Sequence, residues 1–267
     1  DRGVGLGAGE IMIFADYSYQ NFDWWHEKID GAIIPGTNQP EDFEHNGKFD
    51  NNSINLGFTI GLNDYWNLTV SQIVSERCMT WDGPVDSLGN SLTVHHRSEC
   101  SSSDFRNNDG KKIAYGGYFG DSVVKFKYLL YNQGKGPGNR LFIGAGLVIP
   151  SSATISESPW QKSDFLLPDG SQVNSYTPHR HFYLSDGAYK LNTEIQFFNK
   201  RMKEPAFLGG TFSYSFPLNE SKYGFKPSDY YELSFILLSG PISRVKGHFK
   251  LSIGFNFTMA YSAGSSW

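Results

Sequence analysis

The chain has 267 residues and a formal net charge of −4, and its 23 Lys and Arg form no basic block, so a nucleic-acid-binding role is excluded. A mean hydropathy of −0.40, with no run near the roughly 18 apolar residues that a spanning helix needs, excludes a bundle of membrane helices. What is left must accommodate 21 Phe, 15 Tyr and 29 Gly, the composition of an antiparallel β wall with aromatic girdles and many turns.

Side chains of a β-strand alternate between two faces, and nine segments show that period. The first sets Ile11, Ile13, Ala15, Tyr17 and Tyr19 against Asp16, Ser18 and Gln20. The second sets Ile54, Leu56, Phe58 and Ile60 against Asn55, Gly57 and Thr59, and the third Trp66, Leu68 and Val70 against Asn67, Thr69 and Ser71. In the fourth, Val124, Phe126, Tyr128 and Leu130 oppose Lys125 and Lys127; in the fifth, Leu141 to Ile149 alternate with Gly144 and Gly146. The sixth runs from Tyr189 to Phe197 with Lys190, Asn192, Glu194 and Gln196 on its polar side, and the seventh from Leu208 to Phe216. The eighth pairs Tyr231, Leu233, Phe235 and Leu237 with Glu232 and Ser234. The ninth pairs Phe249, Leu251, Ile253, Phe255 and Phe257 with His248, Lys250, Ser252, Gly254, Asn256 and Thr258.

A soluble sandwich alternates too, so the connections carry the choice. Long polar stretches, about 21–50, 76–119, 151–187 and 217–229, follow the odd segments, and short turns follow the even ones. Long external loops and short periplasmic turns are the habit of an outer-membrane barrel. Aromatic pairs at segment ends (Trp24 and Trp25, Tyr65 and Trp66, Tyr230 and Tyr231) agree with it. The expected fold is therefore all-β, a single antiparallel transmembrane barrel over residues 1–267 with about 10–12 strands, in the bacterial outer membrane and in contact with its lipid. Nine is an odd count, and an odd count leaves an unpaired edge. Two explanations stay open: strands hidden within 112–119 or 176–184, and, preferred, strands following Trp267. The start, Asp1-Arg2-Gly3, has no basic region before an apolar core, so a secretory signal is expected to have been removed.

Four local patterns resemble the outer-membrane family of the "MetA-pathway of phenol degradation" type, which is related in architecture to fatty-acid and aromatic-hydrocarbon channels. They are the hairpin Gly61-Leu62-Asn63-Asp64, the run from Gly120-Asp121 to Lys127-Tyr128, Gly144-Ala145-Gly146 to Pro150-Ser151, and Tyr223-Gly224-Phe225 to Asp229. Pro150-Ser151-Ser152 and Pro227-Ser228 depart from the family's pattern, and the stretch with both cysteines has no place in it. The resemblance implies a barrel of about twelve strands and a transport role, with no ligand residues assigned.

On that alternation Asp16, Lys125, Lys127, Lys190, Glu194, Glu232, His248 and Lys250 face the lumen, where charge is tolerated only in water or in opposite-sign pairs. They either select the solute or knit the interior shut. Phe14, Phe142, Phe198, Ile236 and Leu238 are the large apolar residues of the same parity. Cys78 and Cys100, 22 apart, are read as a loop disulfide, with free thiols as the alternative. His95, His96, His179, His181, the Glu41, Asp42 and Glu44 group and the Asp104–Asp109 stretch are read as solvated loop polars with no metal. No catalytic constellation stands out, so no enzyme activity and no cofactor are expected. The expected function is a porin-like channel for passive passage of a small-molecule solute. The competing reading is a non-transport barrel whose external loops bind a protein partner or a surface.

Overall fold

The computed structural model describes residues 5–26, 33–34, 39–40, 45–81, 98–133, 136–158, 162–166, 172–176, 183–240 and 252–267; for 24–26, 45, 162–166 and 172–176 it describes the backbone only. All described regular structure is β. The wall is an antiparallel meander of β1 (Ile11–His26), β2 (His45–Gly61), β3 (Trp66–Trp81), β7 (Phe119–Asn132), β8 (Gly138–Ile149), β11 (Lys190–Lys200), β12 (Phe207–Pro217), β13 (Tyr230–Leu238) and β14 (Gly254–Ser262). It curls as a half-barrel. Among the described residues β1 and β14 are its two ends and do not pair with each other.

All nine alternating segments are strands of this wall, with two differences of extent. β1, β2 and β3 run to 16, 17 and 16 residues, well past the segments legible in the sequence. Their ladder continues, but the apolar side turns polar: Tyr17, Tyr19 and Asn21 of β1 bond Asn52 and Asp50 of β2 at 3.1, 2.9 and 2.7 Å. Hydropathy alternation stops where the apolar band stops, and backbone pairing does not. The ninth strand is displaced towards the C-terminus. Ile253 precedes it, while Met259 and Tyr261 extend its apolar side opposite Leu233 and Tyr231. Phe249 and Leu251 lie outside the described residues.

Among the described residues neither 112–119 nor 176–184 adds a further strand to the wall, and residues 177–182 lie outside the described residues. Short strands do form near them, namely β5 (Phe105–Asn107), β6 (Lys112–Ala114), β9 (Lys162–Leu166) and β10 (Gln172–Tyr176), but they make a separate four-stranded sheet, β10-β9-β5-β6. The long connections thus build a cap. Its buried core is Phe105, Ile113, Ala114, Ile155 and Tyr183, which packs on Phe49 of β2 and Met79 of β3. Those two belong to the same faces as Asn55 and Asn67, so the cap rests against the inner side of the rim. The 218–229 connection joins it through the stacked rings of Tyr115 and Tyr223, 6.4 Å apart, with Lys222 Nζ 4.7 Å over Tyr223.

Cys78 does not lie in a loop. It stands in the upper part of β3, opposite Cys100 of the two-residue β4 (Glu99–Cys100), and the two form the disulfide expected of them. Closing a segment of 22 residues removes unfolded-state entropy worth about 3 kcal/mol. Cys100→Ser should therefore loosen the cap by that order, seen as faster amide exchange in 105–118, and leave exchange in β11 and β12 unchanged.

Candidate functional site

The wall has its burial inverted relative to a soluble sheet. On one face Ile143, Ile195, Phe197, Phe212, Phe235 and Phe255 are 40–62% exposed; on the other Lys127, Glu194 and Gln196 are 3–7% exposed. β11 alone shows it residue by residue, with Glu194, Gln196 and Phe198 buried and Ile195 and Phe197 exposed. Aromatic rings line both ends of the exposed face: Trp66 with Tyr128 at 4.8 Å on the short-turn side, and Tyr214 with Tyr231 at 4.7 Å, followed by Tyr261, on the capped side.

The strand register places the polar residues of the inner face in rows. Lys127, Gly144, Glu194, Ser213 and Glu232 stand side by side, and the next row holds Lys125, Gly146, Asn192 and Ser215. Lys125 of β7 reaches across β8 to Glu194 of β11, Nζ to Oε2, at 2.7 Å. Strands lie about 4.8 Å apart, so the pair spans two spacings and must lie flat on β8. Only glycine permits that: a Cβ at Gly144 would come within 2.7 Å of Glu194 Cγ, and one at Gly146 within 2.9 Å of Lys125 Cβ. Lys127 Nζ donates to Gln196 Oε1 at 3.4 Å and sits 5.1 Å over the Phe142 ring.

Below these rows the inner face becomes apolar. Leu129, Phe142 and Phe198 form a buried cluster with Phe207 and Ile236 against it, and Phe198 stacks on Phe207 at 5.3 Å. Phe142, Phe198 and Ile236 were legible as inward apolar positions. Leu129 and Phe207 were missed, Leu129 because it stands in the unbroken apolar run Tyr128-Leu129-Leu130-Tyr131 and Phe207 because it is the first residue of its strand. The N-terminal segment closes this end: the Leu6 N–H donates to Asn67 Oδ1, and Asn67 Nδ2 donates back to the Leu6 carbonyl, each at 3.0 Å. No protein-family model matches the chain, and no curated protein matches it in sequence. The site is therefore read from its geometry.

The eight candidate lumen residues fall into groups. Lys125, Lys127 and Glu194 are brought together; Lys190 is held by Asp186 at 2.5 Å near the capped rim; Glu232 accepts from the Tyr230 hydroxyl at 3.1 Å. Asp16 lies on the end strand β1 and is exposed. His248 and Lys250 lie outside the described residues, as do His95, His96, His179, His181, Glu41, Asp42 and Glu44.

Two sites of potential ion chemistry are accounted for locally. Glu76, Cys78 and Cys100 bring ligand atoms together, but both sulfurs are in the disulfide and offer no thiolate. Asp104 is bonded by Lys112 Nζ at 2.5 Å and by the Gly116 N–H at 2.7 Å. Burial pushes its carboxyl up, but these bonds and the nearby Lys112 and Arg106 charges outweigh that and hold it below the ordinary aspartate value.

Proposed function

We propose that this chain forms the wall of a β-barrel in a bacterial outer membrane and that its interior passes small polar solutes by diffusion. The carrying observation is the inversion of burial, with Ile195 at 52% exposure beside Glu194 at 7% on one strand. In water that arrangement exposes the apolar face of every strand, whereas in a bilayer it satisfies both faces. Long connections on one rim, short turns on the other and rings at both ends of the apolar band support the same reading. So does the sequence resemblance to the "MetA-pathway of phenol degradation" type of outer-membrane protein, from which only the barrel and a transport role are taken.

Charges of both signs on a flattened inner lining suit a hydrated conduit for small solutes, narrowed on one side by the cap and on the other by residues 5–7 and the phenylalanine floor. The test is reconstitution of the full chain in planar bilayers and liposomes. Ion conductance and swelling in small neutral solutes are the expected results, and a bilayer left as tight to ions as protein-free lipid rejects passage. The cap supports a second reading: loops with their own sheet, buried core and disulfide present a fixed surface, as a non-transport barrel binding a protein partner would need.

A further inference from the structure

Lys200 closes β11, and the turn that leads from it to β12 carries Arg201, Met202 and Lys203 in succession. Met202 is 89% exposed, more than any other large apolar side chain among the described residues. Lys200 and Lys203 are exposed as well, and none of the three cations has a hydrogen-bond or ion-pair partner among the described residues. The turn's own carboxylate is turned aside, since Glu204 accepts the Gly240 N–H on both oxygens at 3.0 Å. The other described carboxylates of this rim, Glu10 and Asp64, accept the N–H groups of Gly7 and Ala8 at the β1–β3 end of the wall, three strands from β11. Three like charges within four residues repel one another, and only an anion from outside can offset that. The Arg201 N–H donates to the Ala206 carbonyl at 2.8 Å, which closes the turn and holds the cations on one short loop.

We propose that residues 200–203 form a docking site for anionic phospholipid headgroups, with the phosphodiesters on Lys200, Arg201 and Lys203 and the Met202 thioether among the glycerol ends of the acyl chains. The inference rests on the outer-membrane reading and names the lipid class that the short-turn leaflet offers to the wall. Phe197, 43% exposed, and Leu208 are the last apolar outward residues of β11 and β12 before this turn. Four residues of strand beyond Phe197 carry the chain roughly 13 Å, and less along the membrane normal because barrel strands tilt. That distance puts the cations in the headgroup layer, and their long stems reach phosphates from there. A zwitterionic lipid would bring its own ammonium to three others, and an acidic peptide would meet the charges but leave Met202 in water. A lipid with net negative charge answers both the cations and the thioether between them.

The test is photo-crosslinking of the full chain folded into vesicles of phosphatidylethanolamine with a minor fraction of phosphatidylglycerol. A diazirine side chain is encoded in place of Met202, of Leu62 or of Ile195, and the captured lipids are identified by mass spectrometry. At position 202 phosphatidylglycerol should be captured at about five times its share of the vesicle or more, because each basic residue at an anionic surface contributes about a factor of five. Replacing all three cations (Lys200→Gln, Arg201→Gln and Lys203→Gln together), or working in molar salt, should bring that share to within about twofold of the vesicle's. Position 62 is exposed on the same rim but lies beside Asp64, and there phosphatidylglycerol should be captured at no more than its share. Equal shares at 202 and 62, a share at 202 unmoved by the three substitutions, or capture of an added oligoglutamate at 202 in preference to lipid would each overturn the site. Position 195 separates this from the membrane reading. Lipid captured at 195 without enrichment at 202 rejects the docking site alone, whereas no lipid at 195 rejects the membrane reading and the docking site with it.

Discussion

Ile195→Arg should destabilise the chain folded in lipid by about 2–4 kcal/mol, the depth-dependent cost of arginine on the hydrocarbon-facing side of a barrel. Ile195 is chosen because it is 52% exposed yet lies well inside the apolar band, flanked in register by Ile143 and Phe212, themselves 40% and 45% exposed. On a water-facing sheet the same substitution would be an ordinary surface change, within about 0.5 kcal/mol. Denaturant titration of chain folded into vesicles separates the two, and a shift too small to resolve there would defeat the membrane reading. Asn52→Arg is the internal control. It stands on the same outer side of β2, where β1 and β2 carry polar bonding instead of apolar contact, and should cost little.

Phe142→Ala should cost about 3–5 kcal/mol, the range for emptying a buried aromatic site. The ring is 2% exposed, meets Phe198 edge-on at 6.3 Å and lies 5.1 Å under the Lys127 ammonium. It also touches the N-terminal segment: a Cβ built on Gly5 would stand 3.1 Å from its Cε1. Removing it should therefore loosen residues 5–7 and widen the short-turn end, so lower stability should come with higher conductance per channel. A stability loss under 1 kcal/mol with unchanged conductance would show that the floor neither packs nor narrows anything. Phe142→Leu should recover most of the stability, because it refills much of the volume.

Most of the wall could be read from the order of residues, because a strand with an apolar side and a polar side writes its two faces into alternate positions. Glu194 beside Ile195 needs no third dimension to be assigned to opposite faces. The upper halves of β1, β2 and β3 could not be read that way. There Asn52, Asp50 and Glu76 follow the apolar outward positions, and although Phe49 and Met79 stay apolar on the inner side, they are too widely spaced to mark the ladder by alternation. The cap was equally hidden, since Phe105, Ile113 and Ile155 are scattered through loop-like sequence and acquire a common core only when two long connections meet.

For the site, the parity of Lys125, Lys127, Asn192 and Glu194 was local information, fixed by a period of two. Their partnerships were not. That Lys125 bonds Glu194, 69 positions away, follows from the register of β7 on β8 and of β8 on β11, and from two glycines that let the side chains lie across the strand between them. Alternation along one strand depends only on that strand's backbone and its two surroundings, so sequence determines it. Which rung faces which depends on how separate strands slide past one another, and that is decided only when the sheet forms.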